Sequence, residues 1–303
     1  MKKVKVLVAF SGGKDSLASL IWAIEKYGVD SCEAVFCDTG WEHELTYEHI
    51  NEVTQKMGVK LVTVKSKKYD GFLDLAKKKR RFPSTKARFC TEQLKSIPMI
   101  DYVLQQECHL IIIQGIRADE SKNRSKMSEH CTYFKYYYTP YGVDKQGKDK
   151  YQSYRKKEVL AWRQKFADDI IRPVFKWTGQ EVISYIIDNG FKPNPLYYQG
   201  FSRVGCFPCV MCRKSEIKQI AEKHPAYLER LTTAEAETGR SFFPPDYIPK
   251  RFQQGRDVNG KSFPLLKNVV DYVTDDPNQL EMFEEEKNDT TDRRCMSFYA
   301  ICE

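Results

Sequence analysis

Apolar and polar positions alternate along the first hundred residues in a way that specifies elements. Val4 to Phe10 is a short apolar run of the kind a strand shows when helices cover both faces of a parallel sheet. Ser16 to Tyr27 follows with Leu17, Leu20, Ile21 and Ile24 on one face, a helical period that Gly28 stops. Cys32 to Cys37 predicts a second strand, Leu45 to Met57 a second helix closed by Gly58, and Lys60 to Val64 a third strand. A helix over about 94–105 then leads to a buried strand, Leu110 to Gln114. This β-α-β-α-β order predicts an α/β fold with a Rossmann-like, doubly wound, mostly parallel sheet.

The pattern fails between Tyr133 and Lys157, a stretch rich in Tyr, Lys and Gly that reads as a long loop or insertion. Regular structure is expected again near Trp177, with Thr178 capping a helix through Asn189. Beyond Asn194-Pro195 the composition shifts towards cysteine, proline and aromatics. Ser215 to Leu231 predicts one helix, Ser241 to Pro264 an irregular segment, and Asp275 to Asp292 an exposed acidic one. The expected organisation is a nucleotide-binding domain over 1–195, with its insertion at about 133–157, and a cysteine-bearing C-terminal region over 196–303.

Composition narrows the function. The 303 residues carry 41% hydrophobic and 30% charged positions, as globular chains do. No stretch approaches the ~20 apolar residues of a membrane helix, so a cytoplasmic protein with no membrane partner is expected. The net charge of +8 suits a phosphate-bearing ligand or a nucleic acid without choosing between them. Ten cysteines with no secretory signal point away from a disulfide framework and towards metal or redox chemistry.

The sharpest local signal is Ser11-Gly12-Gly13-Lys14-Asp15-Ser16, delivered by a strand onto the start of a helix. Two glycines let the backbone approach an anion with its N–H groups turned inward. The helix start adds partial positive charge, Lys14 an ammonium, and Ser11 and Ser16 hydroxyl donors. Neither the Walker spacing nor Gly-x-Gly-x-x-Gly is present, so this is a different phosphate loop.

The loop resembles the PP-loop of the adenine nucleotide alpha-hydrolase superfamily, and the chain resembles the phosphoadenosine phosphosulfate (PAPS) reductase family within it. Five further segments carry the resemblance in order: Asp38-Thr39-Gly40-Trp41-Glu42; Arg88-Phe89-Cys90-Thr91 with Leu94-Lys95; Gly115-Ile116-Arg117-Ala118-Asp119-Glu120-Ser121 with Arg124; Pro173-Val174-Phe175-Lys176-Trp177-Thr178; and Asn194-Pro195-Leu196-Tyr197 through Gly200-Phe201-Ser202-Arg203-Val204-Gly205-Cys206-Phe207-Pro208-Cys209. The resemblance implies that Ser11, Gly12, Gly13, Lys14, Asp15, Ser16, Asp38, Thr39, Gly40, Gly115, Arg117, Ser121 and Arg124 bind ATP or a phosphosulfate adenine nucleotide, with Mg2+ on the phosphates. Arg117 also stands just past a strand's C-terminal end, where open α/β sheets bind ligands, and its planar fork suits phosphate or sulfate; an ion pair is the competing role. Arg88, Lys95, Arg124 and Arg203 are weaker anion candidates. Lys77 to Arg81 reads as a solvated helix end or as the wall of an anionic path.

Cys206 and Cys209 flank a proline two residues apart, a spacing that suits two thiolates on one metal or cluster. Similarity to cluster-bearing relatives adds Cys90, for an iron–sulfur (4Fe-4S) cluster on Cys90, Cys206, Cys209 and Cys295, with Cys212 the alternative fourth ligand and zinc the alternative metal. Cys32, Cys37 and Cys108 read as buried small hydrophobes. Lys14, Asp15, Arg117 and Cys302 are the catalytic candidates. The expected function is activation by adenylation, or sulfuration, of an acceptor such as nucleic acid. The alternatives are a sulfonucleotide reductase using the Cys302 thiolate and a nucleotide-binding regulatory module without turnover. The Glu-Cys-Gly-Leu/Ile-His tail of the reductases is replaced by a terminal Cys302-Glu303. Phe134, Tyr136, Tyr137, Tyr138, Lys145, Lys148 and Lys150 in the insertion suit a nucleic acid or a plain solvated loop. A sulfur-carrier or reductant protein and a second copy of the chain are further candidate partners.

Overall fold

The first strand, β1 (Val4–Ala9), divides its side chains between two layers: Val6 and Val8 enter one apolar cluster and Leu7 another. That division is the period of two expected of a strand covered on both faces. The computed structural model describes residues 4–85, 87–257 and 260–274. After β1 come α1 (Lys14–Tyr27), β2 (Cys32–Cys37), α2 (Glu44–Met57), β3 (Lys60–Val64), α3 (Phe72–Lys79), a short turn α4 (Phe89–Thr91), α5 (Ile97–Leu104) and β4 (His109–Gln114). β2 and β3 have the bounds the sequence predicts. The helix expected over 94–105 starts with a π-helical turn, Glu92–Ser96, before α5.

The chain continues through α6 (Lys122–Ser125), β5 (His130–Thr132), the small hairpin β6 (Gly142–Val143) and β7 (Asp149–Lys150), α7 (Lys156–Arg163) and β8 (Asp168–Ile171). Six strands form one sheet in the order β3-β2-β1-β4-β8-β5. All neighbours are parallel except β5, which runs antiparallel to β8 at the edge. The fold is therefore the expected α/β type. The crossovers from β1 run outward to β2 and β3, and the chain then returns to place β4 on the other side of β1. The C-terminal ends of β1 and β4 thus form the switch point where open sheets bind ligands.

One face of the sheet is covered by α1, α2 and α8 (Gly179–Asp188). The other carries α5, α7 and the aromatic trio Tyr133, Phe134 and Tyr137. That trio corrects the reading of the insertion as an aromatic stacking surface or a solvated loop. Phe134 and Tyr137 are 0% and 2% exposed, Phe134 packing edge-on against both Tyr137 and Trp162 of α7. Only the stretch beyond them, with Tyr138, Lys145, Lys148 and Lys150, faces solvent.

Past α8 come α9 (Pro195–Tyr198), α10 (Lys214–Lys223), α11 (Pro225–Thr238), the hairpin β9 (Gly255–Arg256) and β10 (Ser262–Phe263), and α12 (Leu266–Thr274). The single helix expected over 215–231 is two, because His224 leaves helical geometry at φ −138°, ψ 52° ahead of Pro225. A third apolar cluster joins Leu196, Phe207, Ile217, Leu231 and Val269 of this region to Trp41, Phe72, Leu75 and Leu94. Among the described residues, no helix is long and apolar enough to cross a membrane.

Candidate functional site

The chain leaves β1 at Ala9 and turns into α1 through the Gly12-Gly13 pair. Gly12 has φ +80°, and a Cβ there would meet Ile50 and Thr46 of α2 at 3.0 Å. Glycine is required by both the turn and the space. Gly13 is the N-cap residue of α1 and offers no side-chain cap, so the helix start is left for another acceptor. Ser16 Oγ donates to Gly13 O at 2.9 Å and accepts from Ser11 N at 3.3 Å, bracing the loop from inside.

From the other side of the switch point, Gly115 touches the loop. A Cβ at Gly115 would lie 2.5 Å from the backbone of Asp15 and Ser16. Gly115 therefore serves as the contact by which the end of β4 seats the phosphate loop. Two residues on, Arg117 donates from Nε to Asp15 Oδ1 at 2.6 Å and from Nη1 to Asp119 at 2.6 Å, while Lys14 Nζ stands 3.3 Å from Asp15 Oδ2. Asp15 and Arg117 are buried. The ion-pair role weighed for Arg117 is thus present, and it is a buried pair: Asp15 holds both cations of the loop at the switch point. Ser121 caps α6 by accepting from Arg124 N at 3.2 Å, and the Arg124 guanidinium pairs with Glu120.

The segment after β2 folds over Glu42, which sequence reading passed over as a site residue. Its buried carboxylate accepts from Thr39 Oγ1 at 2.6 Å, Tyr47 Oη at 2.9 Å, and the amides of Thr39 and Trp41 at 3.2 Å. Asp38 accepts from Gly40 N and Tyr47 Oη at 2.8 Å and pairs with Lys65. Burial works against the Asp38 carboxylate, but Lys65, the Gly40 amide and the Tyr47 hydroxyl outweigh it and hold it below the usual carboxylate range.

Glu42 and Cys206 form an isolated antiparallel bridge, with Phe207 N donating to Trp41 O at 2.7 Å. Cys206 Sγ is thereby placed 3.6 Å from Thr39 Oγ1. One pocket runs from Ser11, Ser16 and Gly115 to the thiols of Cys90, Cys206 and Cys209, with Cys212 also on its wall. Burial pushes the Cys206 thiol up to about 12; Lys95 offsets part of this, while Glu42, Cys209 and Cys90 add to it. Cys212 is raised further by burial, beside Glu216 and Cys209. Cys32, Cys37 and Cys108 are buried as expected. Among the described residues, no three His, Cys, Asp or Glu side chains stand close enough to hold one metal ion. Cys295 and Cys302 lie outside the described residues.

The phosphoadenosine phosphosulfate reductase domain model matches residues 5–133 and 145–212. The chain belongs to that family. The unmatched 134–144 stretch falls inside the insertion. A 37.8 kDa protein of Escherichia phage 186 from the gpa 5′ region, itself uncharacterized, is 30% identical over 312 residues, covering 83% of each chain. Adenosine 5′-phosphosulfate reductase of Mycolicibacterium smegmatis is 37% identical over 51 residues, 17% of this chain and 22% of its own. Among solved structures, the PAPS reductase of Candida auris in its phosphate complex covers 69% of this chain and 83% of its own, at 17% identity and TM-score 0.44, too low to add to the sheet order itself.

Beyond the family match, α10 and α11 bring residues to the site that carried no sequence signal. Arg230 lies 3.8 Å over the Trp41 ring and donates to Gly40 O. Tyr227 Oη accepts from Glu44 N at 3.1 Å, and His43, stacked on Tyr227, caps α2 by accepting from Leu45 N at its Nδ1. His43 Nε2 therefore carries the proton, which points to His224 Nδ1 at 3.2 Å, and His224 Nε2 in turn donates to Gln199 at 2.6 Å. Burial holds His43 down at about 4, with His224 adding to the effect. Asn194 and Tyr197, quoted in the motif but given no role, both reach the phosphate loop. Asn194 Nδ2 donates to Gly12 O at 3.3 Å, and Tyr197 Oη accepts from Lys14 N at 3.2 Å.

Proposed function

We propose that the chain binds ATP or a related adenine nucleotide with its phosphates on the Ser11–Ser16 loop and transfers its activated group to an acceptor. The carrying observation is the pocket that runs from Ser11, Ser16 and Gly115, beside the uncapped start of α1, to the three thiols of Cys90, Cys206 and Cys209. The nucleotide-facing set would be Ser11, Gly12, Gly13, Lys14, Asp15 and Ser16, with Asp38, Thr39 and Gly40 beside the adenosine and Arg117, Ser121 and Arg124 beyond Gly115. In the adenylation reaction an acceptor oxygen attacks the α-phosphorus. The new P–O bond forms as the bond to the β-phosphate oxygen breaks, and pyrophosphate leaves. Loop amides and Lys14 stabilise the charge that gathers on the departing oxygen. Asp15 holds Lys14 and Arg117 in register, and Mg2+ on the phosphates would add to the same stabilisation.

Three thiols on one pocket wall are the donor type that an iron–sulfur cluster takes, with zinc the alternative metal. Cys90, Cys206 and Cys209 would hold it, with Cys295 as the proposed fourth ligand and Cys212 the alternative. The cluster would supply electron transfer or Lewis acidity beside the acceptor. The neighbouring Lys95 and Glu42 would set the charge around it.

Anaerobic purification with an iron count and visible spectrum tests the thiol end, and pyrophosphate release from ATP with and without nucleic acid tests the phosphate end. Stoichiometric zinc without iron would overturn the cluster reading. The 51-residue stretch shared with adenosine 5′-phosphosulfate reductase supports a second reading, in which the Cys302 thiolate takes the sulfonate of a phosphosulfate nucleotide. Sulfite release with a reductant, abolished in Cys302→Ser, distinguishes it.

A further inference from the structure

The start of α1 has donors for an anion, and one of them is already taken. Lys14 N donates to Tyr197 Oη at 3.2 Å, and the Lys14 ammonium lies 5.1 Å over the centre of the same ring. A single side chain from α9 thus occupies both groups by which Lys14 would hold a phosphate: its amide through a hydroxyl, its ammonium through a ring face. The Lys14 ammonium also pairs with Asp15 at 3.3 Å, but its two contacts with Tyr197 are with a neutral partner. A phosphate oxygen is charged, and charge-assisted hydrogen bonds are about twice as strong as neutral ones. The root of α9 is fixed to the loop, since Asn194 Nδ2 reaches Gly12 O and Thr46 Oγ1 while Asn194 Oδ1 caps α9 at Leu196 N. Tyr197 is therefore held beside the start of α1, half-buried, with its hydroxyl on the Lys14 amide.

We propose that Tyr197 is a displaceable placeholder: it satisfies Lys14 while the seat is vacant and yields its position when a phosphate arrives. The inference rests on the phosphate-loop reading and assigns that loop an internal competitor. The sign of one substitution decides it. Tyr197→Phe keeps the ring under Lys14 and removes only the competing hydroxyl, so binding should tighten. The measurement is calorimetric titration of the full chain with inorganic pyrophosphate and with a non-hydrolysable ATP analogue.

The expected result is affinity about 3- to 10-fold higher in Tyr197→Phe, the loss of one ordinary hydrogen bond from the unbound state. Tyr197→Leu, which also removes the ring face, should keep the gain for pyrophosphate. Weaker binding in Tyr197→Phe would make the hydroxyl a ligand of the bound anion and overturn the placeholder. Unchanged affinity would overturn it as well. Lys14→Ala separates the two levels. If wild type binds and Lys14→Ala does not, the loop reading stands whatever Tyr197 does. If wild type and Lys14→Ala bind neither probe, the loop reading falls and takes the placeholder with it.

Discussion

The two ends of the pocket solve the problem of burial in opposite ways. Behind the Ser11, Ser16 and Gly115 end, formal charges are buried together: Asp15 with Arg117 and Lys14, and Arg124 with Glu120. At the thiol end, burial keeps the reactive groups neutral, as the raised Cys206 and Cys212 thiols show. The first end is assembled in advance from paired charges. The second becomes charged only when something binds the sulfurs. Substitutions should therefore cost very different amounts at the two ends of one cavity.

The largest effect is expected from Arg117→Ala, which leaves Asp15 buried with Lys14 as its only neighbouring cation among the described ion pairs. Removing one member of a buried pair costs about 3–5 kcal/mol, read as a shift in urea midpoint. A loss under about 1 kcal/mol would mean that Asp15 is hydrated and that the two ends are alike. Gly115→Ala comes next. Its Cβ has no room against the Asp15 and Ser16 backbone, so about 1–3 kcal/mol of overpacking strain is expected, with weaker nucleotide binding. Normal stability and binding would show that the loop floats free of β4.

The His43 pair bears on the thiol side. Its folded-state pKa lies at about 4, below the ordinary 6.5, so the unfolded chain binds the extra proton first. Stability is full above pH about 6.5 and is lost as pH falls towards about 4, by on the order of 2 kcal/mol. His43→Asn keeps a capping side chain on α2 and should flatten that slope in melts from pH 7 to 4. An equal slope in both proteins would place the titration elsewhere. The smallest effect is expected at the sulfurs themselves. In metal-free protein Cys206→Ala should cost about 1 kcal/mol or less in midpoint, while the iron count of anaerobically purified protein falls. A loss as large as that of Arg117→Ala would erase the contrast.

The same contrast governs what the sequence discloses. The phosphate loop is written locally, in a strand, two glycines and a helix within sixteen residues, so its elements are readable from hydrophobic period and the glycine pair, with β1 ending one residue and α1 starting two residues earlier than that reading expects. β8 was missed because Asp168 and Asp169 lead it. Burial raises Asp168 to about 6, with the Phe134 amide and Arg163 opposing, and a pattern reading sees only two polar positions. The fused helix over 215–231 was a local error, since Pro225 announces the break. α12 was overlooked although Leu266, Val269 and Val273 recur on one face. Glu42 lies in the Asp38–Glu42 segment, but nothing local marks it as buried, and Arg230 acquires a place only when α11 meets the loop after β2.

The Glu42–Cys206 bridge joins positions 164 apart along the chain. During synthesis from the N-terminus, β1, α1 and β2 exist long before Cys206 does, whereas Asn194 and Tyr197, which hydrogen-bond the glycine loop, come only shortly before it. Closing so long a loop adds little entropy beyond that of a shorter one, because the cost grows only logarithmically. The timing is what the distance changes: the wall that carries Cys206 and Cys209 closes the cavity only after β1, α1 and β2 have been made.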